Sequence, residues 1–496
     1  MRSRQDFSAL RWVSIVLIFL AVILTVFQLV SYSRQRVSFP PGMIIAGVPV
    51  GGLDRQQSAE RLVQAYGLPI ELRYGTSAIQ IKPGVVGFEL DLESMLSAAD
   101  LQRMNQPFWI AFWDYLWNRL PVPAEIPLSS KLAEDRLRGF LTDEIAARYD
   151  LPPSAAAPVA GSTNFQSGTE GSVLDIDRAV VLIGDALKSP SARVVNLSVS
   201  KVEPPRPSLQ NLQILLQQII SVAGFDGLVE IYIQDLQTTQ GVHFATQGGA
   251  AVTPNVSFTA ASTVKIPIMV SAFRRLKEPT STEATDLVAL MIDRSENPPA
   301  DQLMMDYLDP VSGPLLVTQD MQAIGLQNTF LAGYFYQGAP LLKSFTTPAN
   351  SRTDIFTNPD SYNQTTPAEL GVLLEDIYQC ANTGGGTFAA AFPGEVTQNE
   401  CRQMIAFLVR NKIGVLIEAG LPDGTQFAHK HGWITDPADG VIHTIGDAGI
   451  VYTPAGNYVL SIYLYHPVQV VFDPVNVMVS QLSRAVYNYF NLSAGN

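Results

Sequence analysis

"FTAASTVKIPIMVSAFRR", residues 258–275, carries a polar turn straight into a long apolar run. Ser262 and Lys265 stand three apart at that junction. On a helical backbone position i+3 lies over position i, so the lysine amine reaches the serine oxygen. A serine hydroxyl is a poor nucleophile until a base takes its proton. A lysine serves as that base only when burial together with a neighbouring cation lowers its pKa, and "IPIMV" (266–270) offers the burial. The plain alternative is a helix start with Ser262 as its N-cap. The pair by itself leaves both open.

Two further polar clusters bear on the choice. "MIDRSENPPADQLM" (291–304) sets Ser295, Glu296 and Asn297 just after an apolar helix-like run. "FAHKHGWI" (427–434) sets Lys430, His431 and Gly432 on a strand-like segment before the last β-rich runs. Ser-x-x-Lys, Ser-x-Asn and Lys-x-Gly in that order resemble the three elements of the penicillin-recognising serine enzymes. Over about residues 209–490 the chain is similar to the β-lactamase-like serine hydrolases, closest to their class A branch.

The resemblance implies roles position by position. Ser262 would attack a carbonyl and form an ester, with Lys265 taking its proton and Ser295 relaying a proton to the leaving nitrogen. Asn297 would bind the substrate amide and steady Lys265. Lys430 would pair with the substrate carboxylate and lower the pKa of Lys265 across the cleft. His431 and Gly432 would complete the substrate-binding strand, and the backbone N–H groups of Ser262 and Trp433 would form the oxyanion hole. Glu296 stands where the family usually has Asp, and His431 where it has Thr or Ser. Only 33 residues separate Ser262 from Ser295, shorter than the family norm. "TTPAEL" (365–370) resembles the segment after the family's omega loop, yet "SRTDIFTNPDSYNQ" (351–364) holds no glutamate to activate a deacylating water; Asp354 and Asp360 are its only carboxylates. General-base help is worth about 10²–10⁴-fold, so slow deacylation is implied.

The surroundings of these motifs predict an α+β fold. An amphipathic helix (209–222) precedes the strand "LVEIYIQDL" (228–236), the middle (262–420) reads as mainly helical, and two β-rich runs around Pro454-Ala455-Gly456-Asn457 precede a C-terminal helix (475–490). The pattern is an antiparallel sheet flanked by helices with a helical subdomain.

The rest of the 496 residues calls for additional domains. "WVSIVLIFLAVILTVFQLVSY", Trp12 to Tyr32, runs 21 residues without a charge, enough for a transmembrane helix. Arg2, Arg4 and Arg11 before it, against Arg34 and Arg36 after it, favour a cytoplasmic N-terminus and an extracytoplasmic bulk; a cleaved signal peptide is the alternative. The expected order is a cytoplasmic N-terminus (1–11), a transmembrane helix (12–32), a spacer (33–41), a duplicated α+β region (42–203), a Pro-rich linker (204–208) and the hydrolase-like domain (209–496). The duplication is read from "GVVGFELDL" (84–92) and "GTEGSVLDI" (168–176), each followed by a helix-like run. With "GMIIAGVPVGGLDRQQSAERL" (42–62), these segments resemble the peptidoglycan-binding-like domains of some membrane-anchored bacterial wall proteins.

Trp109, Trp113 and Trp117 fall on one helical face, which suits either core packing or a seat at the membrane interface. Cys380 and Cys401 are the only cysteines, and an extracytoplasmic compartment permits either a disulfide or free thiols. His429-x-His431 lacks further ligands at a recognisable spacing, so neither a metal nor any other cofactor is expected. The net charge of −13 argues against a nucleic-acid partner. The expected partners are a β-lactam or peptidoglycan peptide substrate, the cell wall and the cytoplasmic membrane. Two function classes remain from the sequence: a membrane-anchored serine acyl-transfer enzyme, or a non-catalytic wall-binding protein that keeps a hydrolase-like scaffold.

Overall fold

The structure is a computed structural model that describes residues 5–119 and 122–492, with the backbone alone for residues 5–10. Its contacts divide the chain into two units.

The first unit joins Met1–Pro153 to Glu170–Glu203. It opens with α1 (Gln5–Gln35), in which Arg11–Gln35 has the length to cross a membrane and contains an 18-residue window with a mean hydropathy of 2.9. Beyond it, β1 (Ile70–Tyr74) pairs antiparallel with β2 (Ser77–Ile81). The two repeated motifs build the same local sequence of elements. β3 (Phe88–Leu90) leads through Asp91 into α2 (Leu92–Met104), and the carboxylate of Asp91 accepts the Ser94 N–H at 3.1 Å. After α3 (Phe108–Leu116) and β4 (Ser130–Leu132), β5 (Gly171–Leu174) leads through Asp175 into α4 (Ile176–Leu187), with the Arg178 N–H donated to Asp175 at 3.0 Å. In both copies the Leu-Asp step therefore ends a strand and caps a helix, satisfying a backbone donor that the first helical turn leaves free. β6 (Val194–Asn196) lies parallel to β1, and β7 (Val199–Val202) antiparallel to β5. Residues 154–169, expected within the duplicated region, cluster instead with the second unit. The reason is apolar: Phe165 is buried and its ring lies 5.9 Å from that of Tyr489.

The second unit centres on an all-antiparallel six-stranded sheet. Its strands are β8 (Leu228–Asp235), β9 (Gly241–Gln247), β10 (Ala250–Val252), β11 (Gln426–Thr435), β12 (Ile442–Tyr452) and β13 (Tyr458–Tyr465), in the spatial order β10-β9-β8-β13-β12-β11. Side chains alternate between faces along a strand. On β13 the result is that Tyr458, Leu460, Ile462 and Leu464 join one core, and Val459, Tyr463 and Tyr465 the other. The first core is closed by α5 (Leu209–Ala223) and the C-terminal helix Phe472–Phe490, the second by a helical layer. That layer includes α6 (Lys265–Phe273), α7 (Thr282–Asp293), α8 (Asn297–Tyr307), α9 (Pro367–Thr383) and α10 (Gln398–Arg410); the C-terminal helix is α11. Burial on both faces explains why β13 reads as an uninterrupted apolar run rather than as alternation.

Cys380 on α9 and Cys401 on α10 form a disulfide, both buried, with a sequence separation of 21. A loop of that size contributes about 3 kcal/mol. The double variant Cys380→Ala, Cys401→Ala is expected to lose about that much, read as a drop of several degrees in the melting temperature of this unit by calorimetry; an unchanged transition would contradict it.

Candidate active site

β11 is an edge strand, and the turn that carries Ser262 packs against it. The approach is close enough to dictate a residue. A Cβ added at Gly432 would stand 2.7 Å from the Ser262 nitrogen and 2.9 Å from the Thr263 nitrogen, so any side chain there pushes strand and turn apart. On the other side Thr263 holds the turn to the sheet: its hydroxyl donates to the Ala260 carbonyl at 2.7 Å and lies 2.6 Å from the Tyr463 hydroxyl. The turn itself departs from the regular helix that the spacing suggests. Residues Ala261–Val264 form a 3₁₀ turn, and Lys265 opens α6. In a 3₁₀ turn side chains at i and i+3 eclipse, which brings Lys265 Nζ to 3.0 Å from Ser262 Oγ. Ser262 lies inside that turn, and the residues at the cap positions are Ala260 for the turn and Val264 for α6, so the plain N-cap alternative is set aside. Ala261 (φ +48°) and Ser295 (φ +57°) both adopt the left-handed conformation, which costs an L-residue about 1–2 kcal/mol.

Lys265 is wholly buried. Besides Ser262, its amine donates to the Ser295 carbonyl at 2.6 Å and to Asn297 Oδ1 at 2.8 Å, with Ser295 Oγ at 3.4 Å. Burial lowers its pKa to about 8, while the charges of Asp301 and Glu296 pull upward. Of the two conditions expected from the sequence, burial is the one that acts on Lys265, and the second cation, Lys430, is not among the causes of its shift. The like-charge effect falls on Lys430, whose amine is pushed down to about 7 by burial first and by Lys265 second. Lys430 is also wholly buried, and its Nζ donates to the His431 carbonyl at 3.2 Å. Two amines share a dry wall, and protonating one opposes protonating the other.

A cleft of about 350 Å³ opens over Ser262. Of the residues singled out from the sequence, Ser262, Asn297 and Trp433 line it; Lys265, Ser295, Lys430, His431 and Gly432 do not, and stand in the structure behind. His431 packs its ring between His429 and Trp433, at 5.9 and 5.0 Å between centroids. Burial, then Lys430, pushes its pKa to about 3, so the ring is neutral, and Asn411 Nδ2 lies 3.3 Å from its Nδ1. His429 is committed to Asp447 at 2.8 Å and to the Asn411 carbonyl at 2.9 Å, which leaves the His-x-His pair with no convergent lone pairs. Asp436, Asp439 and His443 bring their ligand atoms within 4.8 Å of one another, in a surface cluster of a kind common without an ion.

Several residues that shape the site were not singled out from the sequence. Phe335 lines the cleft, and its ring centroid lies 5.7 Å from Lys265 Nζ. Asp301, on α8, accepts the Phe335 N–H at 2.8 Å and so fixes that wall. Tyr334-Phe335-Tyr336 is an aromatic run, the one sequence signal that marks it. The two carboxylates noted from sequence part company. Asp354 pairs with Arg352 at 2.6 Å and is exposed. Asp360 lines the cleft; its carboxylate accepts the Tyr362 N–H at 2.9 Å and Asn363 Nδ2 at 2.8 Å, and burial raises its pKa.

The profile of the beta-lactamase enzyme family matches residues 211–281 and 273–490, more than half of the chain. None of the curated proteins matches it. Among solved structures it is similar to PBP-A, at 23% identity over 58% of this chain and 99% of that one, with a TM-score of 0.40. An ancestral class A beta-lactamase is 21% identical over 56% and 98% of the two chains, with a TM-score of 0.39. A beta-lactamase from Desulfarculus baarsii is 18% identical over 58% and 100%, with a TM-score of 0.40.

The two buried amines have a thermodynamic consequence. A lysine pKa lowered on folding means that the unfolded chain binds more protons, so stability rises with pH between the folded and unfolded values. For Lys430 that window runs from about 7 up to the ordinary lysine value of 10.5. Lys430→Met keeps the volume and removes the buried charge. It is expected to raise the melting temperature of this unit by about 2–3 °C at pH 6, the size of 1–2 kcal/mol in a domain of this length, and to lose that advantage towards pH 10. A variant that melts lower than the parent at pH 6 would contradict this.

Proposed function

The chain belongs to the beta-lactamase enzyme family, and from that premise we propose a membrane-anchored, extracytoplasmic serine acyl-transfer hydrolase that forms an acyl-enzyme at Ser262. One observation carries the proposal: a buried amine of lowered pKa, Lys265 Nζ, lies 3.0 Å from the Ser262 hydroxyl at the floor of a cleft. At neutral pH a useful fraction of that amine is unprotonated and can accept the serine proton. Ser262 Oγ then bonds to the substrate carbonyl carbon. The oxyanion forms between the N–H groups of Ser262 and Trp433, which the Gly432 contact holds together. As the C–N bond breaks, its electron pair takes the proton that Lys265 holds, passed through the Ser295 hydroxyl 3.4 Å away. Asn297, bonded to Lys265 and exposed to the cleft, both steadies the base and meets the substrate amide. Lys430 favours a substrate carboxylate through its field from within the wall.

The substrate class is a β-lactam or a peptidoglycan stem peptide. Deacylation is slow in this reading, because the 351–364 segment supplies no glutamate to activate a water, and Asp360, the carboxylate of that segment that lines the cleft, is already held by the Tyr362 N–H and Asn363 Nδ2. α1 provides the membrane anchor, and the rest of the first unit, residues 42–153 with 170–203, is the part that meets peptidoglycan, a reading supported by its two strand–Asp–helix repeats.

Fluorescent penicillin is the direct probe. The full-length protein is expected to carry the label covalently, to hold it for minutes, and to hydrolyse nitrocefin at a much lower turnover than its acylation rate. Ser262→Ala is expected to take up no label. A wild-type protein that never labels moves the weight to a wall-binding protein with a retained scaffold, and rapid nitrocefin turnover would contradict slow deacylation.

A further inference from the structure

Helix α3 presents an apolar face that is largely uncovered among the described residues. Trp109, Ile110, Trp113 and Trp117 are 67%, 56%, 62% and 60% exposed, whereas large apolar side chains on a water-facing helix are normally turned inwards. The opposite face of α3 is packed, and its partner is α1. The Tyr32 ring stands 5.5, 5.6 and 5.0 Å from those of Phe108, Phe112 and Tyr115. The Tyr115 hydroxyl lies 3.4 Å from Gln28 Oε1 and 3.5 Å from Ser31 Oγ. Further down, Thr25 shares a groove with Trp109, Ile110 and Trp113.

These contacts fix a depth. Thr25 to Tyr32 covers about 10 Å of helix at 1.5 Å per residue, and both lie inside the uncharged stretch Trp12–Tyr32. A bilayer core is about 30 Å thick, so α3 lies beside the last third of the span. A helix fastened there cannot be in bulk water while α1 crosses the membrane. Indole prefers the zone between acyl chains and headgroups, and interfacial helices bury their apolar face about 5–10 Å into it. Arg34 and Arg36 follow within one turn, where lipid phosphates would lie.

We propose that α3 is an interfacial helix whose Trp109–Ile110–Trp113–Trp117 face is inserted in the outer leaflet, a second contact with the bilayer beside the span. The proposal rests on α1 being a membrane anchor, as read above. It leaves the serine chemistry aside.

The test uses the full-length chain in liposomes, with Trp113 as its only tryptophan after Trp12→Phe, Trp109→Phe, Trp117→Phe and Trp433→Phe. Lipids brominated near the headgroup end of the acyl chain are expected to quench Trp113 emission at least twofold, and lipids brominated near the chain terminus less. Emission that lipid bromine leaves unchanged overturns the proposal, whether aqueous acrylamide quenches it, as for a helix in water, or not, as for a helix covered by a second copy of the chain. Should that variant not fold, hydroxyl-radical footprinting of the wild-type chain in the same liposomes decides. Trp113 is expected to oxidise several-fold more slowly than Phe356, itself 69% exposed, and equal rates overturn the proposal. An alkaline carbonate wash separates the two readings: a chain that washes off removes the anchor and this inference together, while one that stays with an unquenched Trp113 removes the inference alone.

Discussion

A charged amine does not enter a protein interior without partners, and the fate of Lys265 governs the geometry of the second unit's cleft. Its Nζ is wholly buried and directs its hydrogen bonds at Ser262 Oγ, the Ser295 carbonyl and Asn297 Oδ1. Those acceptors come from three places in the chain that must be held to within a few tenths of an ångström. The 3₁₀ turn supplies the first. The left-handed Ser295, between α7 and α8, supplies the second by turning its carbonyl inwards. The first residue of α8 supplies the third. Losing any one leaves a buried donor short of a partner, at about 1–3 kcal/mol.

The sheet makes this arrangement rigid. β11 sits at the edge, so one side of it is free to receive the Ser262 turn, and Gly432 lets the two backbones approach. Behind β11, Asp447 on β12 accepts from His429 and from the Ile417 backbone, while Asn411 donates to the His429 carbonyl. This buried polar network fixes the strand from which Lys430 projects. The same rigidity keeps two amines in one dry wall, an arrangement a looser fold would relieve by admitting water.

Much of this was legible in the sequence, and the parts that were not have a common character. Ser262 with Lys265, Ser295 with Asn297, and Lys430 with Gly432 are short-range spacings, and the β-rich runs on either side of Pro454–Asn457 mark the strands. The repeat of "GVVGFELDL" and "GTEGSVLDI" with a helix-like run after each was legible too, because a strand end and a helix cap at a Leu-Asp step are local features. By contrast, the wall opposite Lys265 is made by Phe335, and its position depends on a hydrogen bond to Asp301, 34 positions away. No spacing rule reaches that far. The apolar run 266–270 announces the burial that lowers the Lys265 pKa, whereas the help expected from Lys430 depends on how the whole fold sets the two amines, and their repulsion is expressed at Lys430. The 3₁₀ turn and the excursion of residues 154–169 into the second unit are likewise set by packing, the first against Tyr463 and the second by Phe165 against Tyr489.

The central claim is that Lys265 is a base because it is buried. The most direct check is the ¹³Cε resonance of Lys265 in the full-length protein in detergent micelles, assigned with Lys265→Arg and followed as pH is raised from about 6 to about 11, a range that brackets the lowered and the ordinary lysine values. A titration midpoint near 8 is the predicted result. A midpoint near 10.5, the ordinary lysine value, would contradict the account, since an amine still fully charged at neutral pH has no capacity to take the proton of Ser262.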